Sequence, residues 1–356
     1  MTTDARASST AVTEPLTEPT FAVVICAYTV DRWPLLLAAV ASVRDQLLAG
    51  DRLLVVVDHN PELLHRLRAE LAPGPDLVVL PNTEARGLSG ARNTGVRAST
   101  HTVVGFLDDD AVARPGWLAT LREAFAADDS VTVVGTTVEP RWEGGRPPRW
   151  FPAEFGWVVG CGYRGLPVAR TPIRNPIGAS MAVRRSAFAL AGEFSEVVGR
   201  VGALPVGCEE TEFCIRVART VPDAVVLHEP GSAVDHVVPR ARQTLRYFVR
   251  RCFHEGRSKW AVTRLGGSRA GLSAERRYLR VVLPSAVARG VATAVRRGDV
   301  HALVRSAVVL LGLSVTVTGF GAAAIGSRGR PVHPPAPTRL STRSDGPPEG
   351  ATGRRG

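Results

Sequence analysis

The stretch TVVGFLDDD occupies residues 102–110, and it joins an apolar run to three consecutive carboxylates. A short run of β-branched and large apolar residues is typical of a buried strand. Ligands of open α/β folds bind beyond the carboxyl ends of the strands, which is where Asp108, Asp109 and Asp110 are expected. Three adjacent carboxylates repel one another unless a cation or a hydroxyl-rich ligand joins them. The stretch therefore predicts a site for a divalent metal and a nucleotide.

Apolar runs alternate with amphipathic stretches on both sides of this motif. The runs predict strands at residues 21–26, 53–57, 77–80, 131–138 and 177–183. The amphipathic stretches predict a helix with Leu36, Ala39, Val40, Val43 and Leu47 on one side, and further helices at 61–71, at 89–99, from Pro115 onward and at 209–217. This alternation predicts an α/β fold with a parallel, doubly wound sheet. Residues 139–174, rich in Trp, Pro and Gly, predict an irregular insertion that faces the substrate.

The charge of the chain does not point to nucleic acid. The formal net charge is +11, and it comes almost entirely from arginine because Lys259 is the only lysine. The arginines are spread along the chain without the aromatic-interleaved patch of a nucleic-acid binder. The five cysteines form no CxxC pair, and the N-terminus carries no secretory signal pattern, so we expect free thiols in the cytosol and no zinc site.

The two ends of the chain differ from its centre in composition. Residues 1–20 and 327–356 predict disordered tails, which leaves an α/β domain at 21–262 and C-terminal helices at 263–326. Within those helices, residues 307–325 form an uncharged run of 19 residues, long enough to span a membrane. Its glycines, serines and threonines also fit a packed or interfacial helix. We therefore expect membrane contact, either as a single span or peripherally.

Motifs on either side of the three acids suggest further site residues. CAYTVDR at 26–32 lacks the GxGxxG of a dinucleotide-binding turn, which argues against a dehydrogenase. GLSGARNTG at 87–95 is either an ordinary loop or a helix start that directs amides and Arg92 at an anion. Asp108 and Asp110 have two possible roles. They either form part of a solvated turn, or one binds a ribose hydroxyl and the other binds a metal ion.

Two further motifs offer a base and a metal ligand. GCEETEFCIR at 207–216 places Glu209 and Glu210 at a helix start, where they either complement the helix dipole or supply a general base. Glu212 and Arg216 have the spacing of a helical salt bridge. His236, in VDHVV at 234–238, is either a structural hydrogen-bonding residue or a ligand.

Taken in order, these motifs resemble the family-2 glycosyltransferases with the GT-A fold. The resemblance extends over about residues 21–260 and rests on ICAYT at 25–29, Asp58 after the second strand, GLSGARNTG, FLDDD followed by Pro-Gly-Trp, GCEETEFCIR and VDHVV. It implies a Rossmann-like, mixed and mainly parallel sheet with helices on both faces and a C-terminal helical extension. It also implies nucleotide binding by Ala27, Tyr28, Thr29, Asp58 and Arg92, with Asp108 on the ribose.

The resemblance assigns the remaining roles as well. It implies that Asp110 and His236 hold a Mg²⁺ or Mn²⁺ ion, and that the base lies at the position usually written Glu-Asp. Here that position reads Glu209-Glu210, so both glutamates remain candidates. QTLRY at 243–247 approximates the QxxRW sequence of processive synthases, and Tyr247 in place of tryptophan favours single sugar transfer.

The function that we expect is metal-dependent, inverting transfer of a sugar from a nucleoside diphosphate sugar to an acceptor hydroxyl. The acceptor would be a glycan or a lipid-linked sugar, since the sequence is similar to relatives that extend polyprenyl- or dolichyl-phosphate-linked sugars. The expected location is the cytoplasmic face of the cell membrane, in the service of a cell-envelope polysaccharide. Two rival interpretations are a nucleotidyltransferase of sugar phosphates and a non-catalytic membrane protein that binds sugar nucleotides.

Overall fold

The computed structural model describes residues 18–71, 74–196, 209–266 and 276–326. The tails predicted at 1–20 and 327–356 fall outside these ranges except for residues 18–20. Cys208 lies outside them as well. The other four cysteines are free thiols, as the sequence predicted.

The described residues build one mixed sheet of nine strands in the order β3-β2-β1-β4-β8-β6-β9-β5, with β7 paired to β9. The strands are β1 (Phe21–Ala27), β2 (Arg52–Val57), β3 (Leu77–Pro81), β4 (Val103–Asp108), β5 (Ala111–Ala113), β6 (Val131–Trp142), β7 (Thr171–Pro172), β8 (Ser180–Arg184) and β9 (Val225–Val238). The pairings make β1, β2, β3, β4, β6 and β9 parallel to one another, while β5, β7 and β8 run the opposite way. The sheet is therefore mixed and mainly parallel, as the family resemblance implied, because β8 inserts antiparallel between β4 and β6.

Nine helices accompany the sheet in the described ranges. They are α1 (Trp33–Arg44), α2 (Pro61–Glu70), α3 (Leu88–Arg97), α4 (Trp117–Ala127), α5 (Arg185–Ala191), α6 (Glu209–Thr220), α7 (Leu245–Gly266), α8 (Leu283–Arg297) and α9 (Val300–Gly326). Some predicted bounds were wrong. The helix expected from Pro115 begins at Trp117, because Gly116 has a left-handed φ of 82°. α1 ends before Leu47, and the strand expected from Ile177 begins at Ser180.

Helices cover both faces of the sheet, as expected. Successive side chains of a strand point to opposite faces, so β1 sends Phe21, Val23 and Ile25 into one apolar cluster and Ala22 and Val24 into another. The first cluster is completed by α1, α2 and α4, and the second by α3, α5 and α6. Burial on both faces explains why the strand sequences are continuous apolar runs.

The segment at 139–174 is more ordered than its composition suggested. β6 continues to Trp142 and stays paired with β9 to that point, and residues Ala153–Val159 form a 3₁₀ helix. Phe151 and Phe155 pack their rings against Phe248 of α7. Part of the predicted insertion is therefore core that joins the sheet to the C-terminal helices.

The last two helices extend the α/β domain. A π-helical turn at Tyr278–Val282 leads into α8, and α9 packs against both α7 and α8. By length and composition alone, residues 278–297 and 300–326 are each apolar enough to cross a membrane. The uncharged run at 307–325 lies within α9.

Gly95 provides a test of how closely α3 approaches the sheet. A Cβ atom at this position would lie 2.6 Å from Val24 Cγ1 and 2.7 Å from Val24 Cγ2. We expect Gly95→Ala to lower the free energy of unfolding by about 1–3 kcal/mol through overpacking, measured by urea titration. Gly321→Ala in α9 is the matched control, since no atom lies within 4 Å of its Cβ position. Equal stability of the two variants would contradict the close approach.

Candidate active site

The three acids lie where β4 ends, and strand pairing brings a distant histidine to them. Asp108 is in register with Cys26 of β1, so it shares a rim with the residues that follow β1. β5 starts directly after Asp110 and pairs antiparallel with β9, which places Ala111 opposite His236. The backbone N–H of Val237 donates to the carbonyl of Asp110 at 2.9 Å. The backbone thus positions His236 beside Asp110 across 126 residues of chain.

Asp108, Asp110 and His236 form a compact set of metal-binding groups. One ligand atom from each lies within 4.8 Å of the others. His236 Nε2 is 3.2 Å from Asp110 Oδ1, while its Nδ1 is 3.4 Å from Cys161 Sγ. A contact on the second ring nitrogen fixes the orientation of a ligating histidine. Two carboxylates and an imidazole fit a divalent cation.

Two arginines neutralise the acids from the other side. Arg32 Nη1 lies 2.6 Å from Asp109 Oδ1 and 3.1 Å from Asp110 Oδ2, and Arg242 Nη2 lies 3.6 Å from Asp110 Oδ2. Asp109, which had no role in the sequence interpretation, therefore holds Arg32. Its other oxygen, Oδ2, is buried without a hydrogen-bond partner among the described residues.

The ionisation of this cluster follows from burial and its charges. Burial opposes ionisation of Asp110, yet His236, Arg32 and Arg242 hold the pKa of its carboxyl far below the usual value. Burial alone would lower the pKa of His236, but the carboxylate of Asp110 raises that pKa to about 10. The pair is thus carboxylate and imidazolium at neutral pH, and a cation at this site competes with the proton on His236.

The residues expected to bind the nucleotide lie along the same rim. Tyr28 is 39% exposed, with the Arg32 guanidinium 5.4 Å from its ring centroid. The Thr29 hydroxyl accepts a hydrogen bond from the N–H of Asp31 and so caps the turn after β1. Tyr28 and Thr29 therefore lie on the short segment after β1 that ends at Arg32, the arginine that contacts Asp109 and Asp110.

Asp58 is held by several hydrogen bonds at the end of β2. Its Oδ1 accepts from Asn82 Nδ2 at 2.7 Å, and its Oδ2 accepts from the N–H of Gly87 at 3.0 Å. Gly87 is the residue immediately before α3. The Asp58 carboxylate therefore fixes the start of the GLSGARNTG segment, and its side chain keeps an exposed fraction of 11%.

Arg92 occupies a different place from the one expected. Its side chain is buried, with Nη1 3.3 Å from Glu209 Oε1 and Nη2 3.7 Å from Asp108 Oδ1. Nη2 also donates to the carbonyl of Gly178 at 3.0 Å. Instead of facing an open anion site, the guanidinium links the acids after β4 to the acids at the start of α6.

The two adjacent glutamates of α6 have different surroundings. Glu209 is buried and paired with Arg92 through Oε1, while Oε2 has no hydrogen-bond partner within the described ranges. Glu210 is partly exposed. Burial of the carboxyl and the charge of Glu209 raise the pKa of Glu210 to about 7. The expected helical pair of Glu212 and Arg216 is confirmed at 2.6 Å.

Several residues of this site were missed at the level of sequence. Arg32 ends the CAYTVDR motif, so its position offered a weak signal. Arg242, Cys161 and Gly178 offered none, because they reach the site only through the pairing of β9, the 139–174 segment and the loop before β8. Gly178 matters because a Cβ there would lie 3.1 Å from Arg92 Nη2 and 3.7 Å from Glu210 Cδ.

Comparisons of the sequence with known proteins find glycosyltransferases. The profile described as Glycosyl transferase family 2 matches residues 22–190. A glucosyl-dolichyl phosphate glucuronosyltransferase of Haloferax volcanii is 33% identical over 237 residues, which cover 67% of this chain and 75% of that protein. A pre-mycofactocin glycosyltransferase of Mycobacterium tuberculosis is 29% identical over 182 residues, 51% of this chain and 36% of that protein.

A comparison of structures supports the fold. The chain is similar to a mannosyltransferase from Pyrobaculum calidifontis that was solved in complex with GDP-Man and Mn²⁺. The TM-score is 0.52 at 19% identity, and the match covers 88% of each chain. The expected GT-A architecture, with a mixed sheet and a C-terminal helical region, is thereby confirmed.

The competition between a proton and a cation at His236 predicts a pH dependence of metal binding. Because the pKa of His236 is raised, Mn²⁺ binding should release about one proton near neutral pH, and the affinity should rise with pH. Calorimetry in buffers of different ionisation enthalpy measures that proton. His236→Gln should bind more weakly without proton release, whereas His65→Gln, on the exposed side of α2, should behave like the wild type. Proton release by the His236 variant would contradict this assignment.

Proposed function

Since the chain belongs to glycosyl transferase family 2, we propose that it is a metal-dependent, inverting enzyme that moves a sugar from a nucleoside diphosphate sugar to an acceptor hydroxyl. The family assignment makes the chain a glycosyltransferase of the hexosyltransferase type, and it removes the nucleotidyltransferase and the non-catalytic scaffold as rivals. The observation that carries the finer proposal is the convergence of Asp108, Asp110 and His236 within 4.8 Å at the strand ends.

The donor nucleotide lies, on this proposal, along the rim from β1 to β4. Ala27, Tyr28 and Thr29 border the base, Asp108 accepts from the ribose, and Asp58 holds the GLSGARNTG segment in place. Arg92 acts as a positioning residue, because its guanidinium orients Asp108 and Glu209 from a buried position. Arg32 and Arg242, with partly exposed side chains, are the cations that a diphosphate reaches at this rim.

Asp110, His236 and Asp108 would hold the metal ion. Carboxylates suit Mg²⁺ and Mn²⁺, and an imidazole ligand suits a transition-metal ion, so the mixed set favours Mn²⁺. When bound, such an ion neutralises negative charge that develops on the leaving diphosphate. The Cys161 contact on Nδ1 of His236 keeps Nε2 directed at Asp110.

Glu210 is the proposed general base. It removes the proton of the acceptor hydroxyl while that oxygen forms a bond to the anomeric carbon, and the bond from that carbon to the diphosphate oxygen breaks with inversion. Glu209 is committed to Arg92, whereas Glu210 is partly exposed and has a pKa near 7. A general base whose pKa is close to the working pH is largely ionised at that pH and still accepts a proton readily.

The proposed acceptor is a sugar carried on a polyprenyl or dolichyl phosphate. The Haloferax relative is named for a reaction on glucosyl-dolichyl phosphate, and 75% of that protein is covered. The apolar helices α8 and α9 would keep the chain at the membrane that holds such a lipid. We further propose the cytoplasmic face as the location, with an α/β domain at 21–262 and C-terminal helices at 263–326.

Nucleotide binding and the metal site can be tested together. We expect a nucleoside diphosphate with Mn²⁺ to raise the melting temperature of the wild type, because a ligand of the folded state stabilises it. Asp110→Asn should lose this shift and lower sugar transfer by about 100-fold, which corresponds to roughly 3 kcal/mol in the barrier. Asp129→Asn, on an exposed side chain, is the matched control. An Asp110→Asn enzyme that transfers sugar at the wild-type rate in EDTA would contradict the proposal.

The base assignment predicts a pH profile. Because the pKa of Glu210 is raised to about 7, kcat/KM should fall as the pH drops below that value. Glu210→Gln should lower kcat by about 10²–10⁴-fold with little change in donor binding. Glu209→Gln removes a negative charge that raises the pKa of Glu210, so its acidic limb should move to lower pH. An active Glu210→Gln beside an inactive Glu209→Gln would assign the base to Glu209.

A further inference from the structure

The outward face of α9 is mostly apolar, and from Ser306 onward it is uncharged. From Ser306 to Gly326 the helix carries no charged side chain, and its outward positions include Leu310, Leu311 and Val317, all more than a third exposed. A surface helix of a water-soluble domain places polar residues on that face. Among the described residues, 11 of the 16 exposed large hydrophobic side chains lie between 279 and 325. Among the described residues, apolar exposure is thus concentrated in the C-terminal helices.

The opposite face of α9 is fixed to the α/β domain. Ala302, Ser306, Val309, Gly312 and Gly319 form its buried stripe. A Cβ on Gly312 would lie 2.5 Å from Phe155 Cε1 and 2.9 Å from Phe248 Cζ. The glycines therefore serve close helix packing against α7 and the 3₁₀ helix.

This packing continues toward the end of α9. Gly319 lies against the backbone of Phe253, Gly256 of α7 lies against the backbone of Thr316, and Trp260 meets Phe320 edge to face at 5.3 Å. At about 1.5 Å per residue, the stripe from Ala302 to Phe320 extends for about 27 Å, close to the thickness of a bilayer core.

The packing of α9 against α7 bears on whether α9 crosses a membrane or lies on its surface. α7 carries an ion-pair network in which Glu255 contacts Arg251 at 2.8 Å and Lys259 at 3.4 Å. If α9 crossed a bilayer while packed in this way, α7 and its charges would enter the hydrocarbon, where charged groups are costly. The arrangement fits a helix that lies in the interface plane.

Positive charge borders the apolar face. α8 exposes Val291 and Val295 beside Arg296 and Arg297 at its end. On the other side, a groove of about 690 Å³ runs between α7 and α9, with Leu245, Val249, Phe253, Val315 and Thr318 in its walls. Arg246 and Arg250, also in its lining, are exposed, and neither makes an ion pair with a described residue.

We propose that α8, α9 and the outer side of α7 form a monotopic membrane-contact face for an anionic bilayer. α9 lies in the plane of the interface with its outward face, which carries Leu310, Leu311 and Val317, in the lipid. Arg246 and Arg250 bind lipid phosphates at the mouth of the groove. The arginines supply the charge complementarity that selects an anionic surface. This proposal does not depend on the sugar-transfer reaction.

Vesicle sedimentation of the full chain tests the face. We expect binding to vesicles of phosphatidylcholine with phosphatidylglycerol, and weaker binding to phosphatidylcholine alone or at high salt. Leu310→Glu with Val317→Glu should abolish binding, whereas Val168→Glu, 94% exposed in the α/β domain, should not. Equal binding by the helix variant would overturn the proposal, provided that its melting temperature matches the wild type.

The two groove arginines have their own control. Arg246→Gln with Arg250→Gln should weaken binding to the anionic vesicles by about 30-fold, since each arginine near an anionic surface contributes about 1 kcal/mol. Arg44→Gln with Arg52→Gln removes the same charge from exposed positions at α1 and β2 and should have a smaller effect. Equal losses in the two pairs would mean that net charge, not this groove, drives binding.

A measurement of membrane topology distinguishes a helix α9 that lies on the membrane from one that crosses it. Cysteines introduced as Arg297→Cys, at the end of α8, and Gly326→Cys, at the end of α9, are probed with an impermeant maleimide in sealed vesicles. Both should react from the side on which protease reaches the α/β domain. Reaction of Gly326→Cys from the opposite side would show a single span, and reaction of Arg297→Cys from that side would show a two-helix hairpin. Either result overturns the proposal.

Discussion

Three carboxylates in a row at a buried strand end require neutralisation, and the structure around them depends on how this is achieved. Asp109 and Asp110 are each 4% exposed, so their charges cannot be left to solvent. Arg32 from the turn after β1, Arg242 from the turn after β9 and His236 from β9 itself all contact this pair. These contacts link the turn after β1, the end of β4 and strand β9 at one rim of the sheet.

Arg92 extends the same constraint to the carboxylates at the start of α6. Its buried guanidinium contacts Asp108 on one side and Glu209 on the other, so the proposed donor and base clusters share one cation. Because Glu209 is paired there, its charge stays in place beside Glu210 and helps to keep the pKa of Glu210 raised. Adjacent carboxylates with different partners can therefore take different roles.

Sequence patterns were sufficient for the first half of the sheet but not for the second. The strands before Asp110 are continuous apolar runs separated by helices, and such local periodicity identifies elements directly. The direction of β8 and the length of β6 depend on pairing between distant segments, which no local pattern encodes. The same distinction holds in the site: Asp110 and His236 stood out as residue types in motifs, while Arg242 and Cys161 reach the site only through tertiary pairing. Arg92 was recognised as important, but its burial against Glu209 follows from the close approach of α3 to the sheet.

α7 connects the chemistry of the site to the membrane-contact face. On one side of this helix, Glu255 is close enough for its charge to contribute to the raised pKa of Glu210. Another side carries Arg246 and Arg250 at the mouth of the groove beside α9. If the chain binds a bilayer through the proposed membrane-contact face, α7 sets the height of the proposed base above it. A soluble acceptor gains nothing from a fixed height, whereas a sugar tethered to a lipid phosphate can reach only a narrow layer above the surface. On the proposed membrane-contact face, the packing of α9 along α7 therefore favours an acceptor held at the membrane.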